Sequence, residues 1–143
     1  MINDQKQVIA LNAASTTNAA TATGVVDRLG WDFMTLDVIT TTSNDTTNNP
    51  SVLKLQHSDT TDATNYSDIS GTVGDTDWTI PAAVTSGNWG IKFNVDCRAL
   101  SRYIRVQVSP VTTQTITAIA NLSKGTTAAV DATSSGADAL IEV

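Results

Sequence analysis

The stretch from Gly90 to Ser123 reads GIKFNVDCRALSRYIRVQVSPVTTQTITAIANLS, and its periodicity decides the fold class. In GIKFNVDCR, Ile91, Phe93 and Val95 alternate with Lys92, Asn94 and Asp96, the period-two pattern of a strand with one wet face. RYIRVQVSP repeats it, with Ile104, Val106 and Val108 on one face and Tyr103, Arg105 and Gln107 on the other. Pro110 ends that run, because proline cannot donate to a ladder. In TQTITAIANLS, Ile116, Ala118, Ala120 and Leu122 share a side opposite Thr115, Thr117, Ile119 and Asn121. Three strands joined by short turns predict an antiparallel meander. By the same parity Cys97 falls on the apolar face of the first strand and reads as a small buried hydrophobe.

Working outward, the first half gives less regular strands. In LGWDFMTLDVITTTS, from Leu29 to Ser43, Trp31, Phe33, Thr35 and Asp37 alternate with Asp32, Met34, Leu36 and Val38. Both faces are partly apolar, as for a strand covered on its second side too. SVLKLQHS reads as a strand, YSDIS as its short return, and DWTIP (Asp77 to Pro81) as a short strand or turn. KQVIALNAAS pairs with the sheet or forms a helix. About eight short strands predict an all-β fold, a two-sheet antiparallel sandwich of jelly-roll type with extended N- and C-terminal segments. Ala13 to Gly24 reads as a flexible loop or arm, since it has little to bury. The tail, about 124–143, ends in Ala139-Leu140-Ile141-Glu142-Val143, an apolar tip expected to dock on something; the alternative is a frayed end with a weak last strand.

Composition agrees. The chain has 143 residues, enough for one domain with its own core. Only 15% of residues are charged, against about 25% in an average soluble protein. Thr, Ser, Asn and Ala take their place, and β-branched Thr suits a pleated, half-buried surface. A net charge of -6 opposes nucleic-acid binding, which needs clustered cations to displace counterions. The N-terminus lacks the apolar core of a signal peptide, and no stretch reaches the length of a membrane span. The single cysteine excludes an internal disulfide and favours synthesis in the cytoplasm.

Candidate chemistry is sparse. His57 is the one imidazole, and it stands where the VLKLQHS strand gives way to polar sequence, without a nucleophile and acid in a recognisable pattern. Asp59, Asp62 and Asp68 lie near it, and the GDTD run carries Asp75 and Asp77. Neither acidic run has the spacing of a calcium loop; such residues more often cap turns. One Cys and one His do not make a zinc site. No cofactor, metal or catalytic residue is expected, and the chain is expected not to be an enzyme. Trp31, Trp78 and Trp89 leave a carbohydrate-binding sandwich as an alternative, against a core role for the same rings. Arg98, Arg102 and Arg105, beside Tyr103, form a basic run of the kind enriched at protein interfaces, or merely balance an acidic chain.

VLKLQHSDTTDATNYSDISG, DWTIP, FNVDCRALSRYIRVQVSP and IANLS together resemble small structural proteins encoded among the head genes of tailed bacteriophages. Those share an LQ-S-D … Y/F-DI hairpin and an R-YIRV-V-P strand after a polar turn. The resemblance covers about Val38 to Ser123; the first forty and last twenty residues match nothing in it. It implies a capsid decoration, or cement, protein: a homotrimeric β-sandwich bound to the outer capsid surface. The expected partners are therefore the major capsid protein and further copies of this chain, with no nucleic acid and no membrane. The location is the virion, after synthesis in the host cytoplasm. Arg98, Arg102, Tyr103, Arg105, Leu140, Ile141 and Val143 are the expected interface residues. A terminal segment is expected to reach a neighbouring subunit. A head fibre, connector or tail-tube protein is the alternative within the virion.

Overall fold

A computed structural model describes residues 5–41, 49–82, 88–124 and 139–143. The strands are β1 (Gln5–Thr16), β2 (Ala22–Asp27), β3 (Phe33–Thr41), β4 (Val52–Ser58), β5 (Ser67–Asp68), β6 (Asn88–Asp96), β7 (Tyr103–Ser109), β8 (Gln114–Ser123) and β9 (Ala139–Glu142). A 3-10 turn, Ala63–Asn65, precedes β5. One sheet has the order β1-β8-β3-β6-β9 and the other β2-β7-β4-β5. The antiparallel pairs are nested: β1 with β8, β2 with β7, β3 with β6, β4 with β5. Nested pairing across two sheets is the jelly-roll arrangement, and it forms the sandwich expected from the alternation. β9 is an addition, pairing parallel with the outer side of β6.

The core is the set of inward positions read from the alternation. Met34, Leu36 and Val38 of β3, Ile91, Phe93 and Val95 of β6, and Ile116, Ala118, Ala120 and Leu122 of β8 are buried. They meet Val26 of β2, Leu53 and Leu55 of β4, and Ile104, Val106 and Val108 of β7. Truncating one of these larger side chains to Ala should cost about 2–5 kcal/mol, because a close-packed core relaxes only partly around a void. Cys97 is fully buried just after β6. Trp89 is also in the core, its indole N–H donating to the Pro81 carbonyl.

Three readings need correction. The three strands between Gly90 and Ser123 exist, but they are not a meander: β6 and β8 flank β3 in one sheet, and β7 lies in the other. Alternation assigns faces, not neighbours, and short loops can cross between sheets as readily as turn within one. The Ala13–Gly24 stretch is not an arm; it contains the end of β1, a turn and the start of β2. Its small residues have a packing reason, since a Cβ at Gly24 would lie 2.4 Å from the Ala10 carbonyl oxygen. Arg105 sits on the outer face of β7 yet is buried, covered by the loop after β4. The weak last strand weighed for the tail is present: Ala139–Glu142 forms β9, docked on β6 of its own chain; the preceding 125–138 lies outside the described residues. Of the remaining ambiguities, KQVIALNAAS is strand, bulged on either side of Leu11. DWTIP is a turn region joined by a single bridge from Gly74 to Trp78.

Candidate functional site

The loop after β4 is built around turn caps. The Asp62 carboxylate accepts from the backbone N–H and hydroxyl of Thr64, which lowers its pKa. Asp59 accepts from the Arg102 backbone N–H. His57 is half-buried, with Nδ1 accepting from the Ser101 N–H at 3.1 Å, so this nitrogen ties the end of β4 to the loop before β7. In the GDTD run, Asp75 accepts from the Ile80 N–H, and Asp77 from the Gly71 and Val73 N–H groups. These carboxylates hold the backbone, as short polar side chains in turns commonly do. Among the described residues, no group of three or more His, Cys, Asp or Glu side chains is placed to hold a metal ion.

The three arginines share one construction: an aromatic ring beneath the guanidinium and an acceptor beside it. Arg98 lies 5.1 Å from the Phe33 ring centroid and bonds the Asp96 carboxylate. Arg102 lies 4.9 Å from the Tyr103 centroid and bonds Asp27. Arg105 lies 3.9 Å from the Tyr66 centroid, with Nε and Nη2 both on Gln56 Oε1 and Nη1 on the Ala63 carbonyl. Gln56 in turn donates to Asp68, which pairs with Lys54. The Arg102 hydrogen bond holds Asp27 down to about 2, and the Arg98 hydrogen bond does the same for Asp96. Planar guanidinium suits both contacts at once. Arg98, Arg102 and Tyr103 therefore stand together at one end of the sandwich, while Arg105 belongs to the packing of the loop.

That end also receives the C-terminus. The Val143 N–H donates to the Asn94 carbonyl, and its own carbonyl accepts from the Asp96 N–H. Ile141 and Val143 pack on the core; Leu140 registers with Lys92 and shares its outward parity. Leu29, 64% exposed at the tip of the β2–β3 turn, stands at the same end.

The outer face of the five-stranded sheet was not singled out by sequence. Ile9 of β1 registers with Ile119 of β8, and Ile119 with Asp37 of β3. Ile39 lies diagonally next to Ile119, within side-chain reach on one sheet face. Ile9 is 60% exposed and Ile39 40%. Beside this patch Asp37 pairs with Lys92, and the next row is internally bonded, Gln7 to Asn121 and Thr35 to Asn94, with the Glu142 carboxylate at its β9 end. The signal was the two-sided apolarity of β3. It predicted cover on the second side, yet Ile39 is open to solvent on the isolated chain.

The tryptophans do not form an open platform. Trp89 is buried, and Trp78 packs edge-on to Phe93 with centroids 5.9 Å apart. Trp31 is half-buried in the β2–β3 turn. No family model matches this chain, and no curated protein matches it.

Proposed function

We propose that this chain is a structural protein of a phage virion, a decoration protein that binds the outer capsid surface and stabilises it. The observation that carries the protein-binding part is the outer face of the five-stranded sheet. Ile9, Ile119 and Ile39 form an exposed apolar patch flanked by the Asp37–Lys92 ion pair, the apolar centre and polar border that protein-binding faces commonly have. Strands of 12, 10, 9, 9 and 4 residues, spaced by about 4.8 Å, present about 700 Å², close to the roughly 800 Å² per partner of a stable interface. The capsid as partner, and a homotrimer as the assembly, rest on the resemblance of Val38–Ser123 to phage head proteins. The jelly roll, an architecture that viral capsid proteins and lectins both use, adds only an analogy.

Co-sedimentation with empty phage heads tests the reading. Uptake of the purified chain to a fixed number of copies per shell is the expected result. If the chain stays in the supernatant with shells but joins purified tails or connectors, the other virion assignment takes its place. Binding on a glycan array, lost on replacing Trp31, would move the account to carbohydrate recognition.

A further inference from the structure

We propose that the seat of β9, between the edge of β6 and the turn at Gly71, is a strand-acceptor site that takes the C-terminal strand of a second copy of this chain. The seat is shaped for its occupant. Gly71 has a φ of +86°, and a Cβ there would come within 2.7 Å of Val143 Cγ1. Both the missing side chain and the left-handed backbone thus make room for the last residue. Backbone groups of Asn94 and Asp96 bond Val143 on the β6 side, so an incoming strand completes a ladder while Ala139, Ile141 and Val143 face the core.

The hold on β9 is modest. Among the described strands it has one neighbour, β6; it is four residues long, and none of its side chains is fully buried. Its tether is longer than the route requires. Ser123 and Ala139 are separated by three strand spacings and roughly five residues of strand, about 22 Å in all. The intervening 124–138, about 15 residues rich in Thr, Ser, Ala and Gly, can reach about 50 Å when extended. A strand taken from another copy makes the same contacts as the chain's own. The choice between them is set by effective concentration, which for a linker about this long is of millimolar order. Copies held side by side at such local density therefore exchange tails. This holds whatever larger assembly the chain joins, so it does not depend on capsid binding.

Disulfide trapping decides it. Asn94 and Glu142 are registered partners on adjacent strands, at a spacing that suits a disulfide. A chain carrying Asn94→Cys is mixed at about millimolar concentration with one carrying Glu142→Cys, oxidised, and resolved without reductant. The expected product is the mixed dimer. The double variant, Asn94→Cys with Glu142→Cys, should close within one chain when dilute. Intrachain closure in the double variant without a mixed dimer at high concentration would overturn the exchange. Failure of the double variant to close at all would overturn the seat itself.

Discussion

The guanidinium carbon of Arg105 lies over the Tyr66 ring, 3.9 Å from its centroid, with Nε and Nη2 on the same Gln56 oxygen. This buried cation holds the loop after β4 onto the outer face of the smaller sheet. Arg105→Lys keeps the charge but loses the paired donors and the planar stack. It should destabilise the protein by about 1–3 kcal/mol, with an unchanged m-value in urea unfolding. Arg98→Lys, at an exposed arginine of the same construction, should leave the midpoint nearly where it was. Equal effects at the two positions would contradict the assignment of Arg105 to packing.

Gly24 marks where β1 and β2 close the side of the sandwich. A methyl group there meets the Ala10 carbonyl oxygen at 2.4 Å and its carbon at 2.7 Å, so the β1 backbone must move. Gly24→Ala is expected to lose about 1–3 kcal/mol. Gly90→Ala is the control, since its nearest neighbour, the Val38 carbonyl oxygen, lies at an ordinary 3.7 Å. Thermal unfolding of both variants checks the contrast.

Much of this architecture was legible in the alternation, and the part that was not has a definite cause. Period two told which side chains of β3, β6, β7 and β8 face inward, and Met34, Phe93, Val106 and Ile116 are all core. It is blind to which strand lies alongside, so β7 was placed between β6 and β8 when it belongs to the other sheet. It is equally blind to what covers an outer face. Arg105 has outward parity, but Tyr66 and Ala63 reach it from a loop some forty residues upstream. Ile9 and Ile39 carry no local signal, because their patch forms only when β1, β8 and β3 lie side by side, and β1 is joined to β8 across most of the chain. Arg98, Arg102 and Tyr103 are legible as a cluster because they lie within six residues, in the loop before β7 and at its first position.

Burial pushes the Cys97 thiol up to about 11, and its Sγ faces the Val95 carbonyl rather than solvent. A thiol so placed reacts only when the fold opens. Labelling with a thiol reagent should be slow in the native protein and should follow the unfolding curve as urea is added. Rapid labelling without denaturant would contradict the placement of Cys97 in the core.

Acid should release two of the arginine contacts. Asp27 and Asp96 are held at about 2, below the ordinary 3.8, chiefly by hydrogen bonds from Arg102 and Arg98. A carboxylate with a lowered native pKa stabilises the fold fully above its unfolded value and loses that contribution as pH falls through the native one. The window here runs from about pH 4 down to pH 2, and the effect is small because both pairs are exposed. Carboxyl carbon shifts followed by NMR should place both midpoints near 2. Arg102→Gln should return Asp27 toward 3.8 and leave Asp96 unmoved. An Asp27 midpoint near 3.8 in the unsubstituted protein would contradict the pairing.

The most direct test of the protein-binding face compares two side chains of equal exposure on opposite sheets. Ile39 is 40% exposed on the outside of the five-stranded sheet, and Val25 is 41% exposed on the outside of the other. Co-sedimentation with empty heads is measured for Ile39→Asp and Val25→Asp, both checked for unchanged thermal unfolding. Burying an unpaired carboxylate in an interface should weaken uptake by tenfold or more, of order 1.4 kcal/mol or greater. Loss of uptake for Ile39→Asp with normal uptake for Val25→Asp is the predicted result; normal uptake of both would contradict the account.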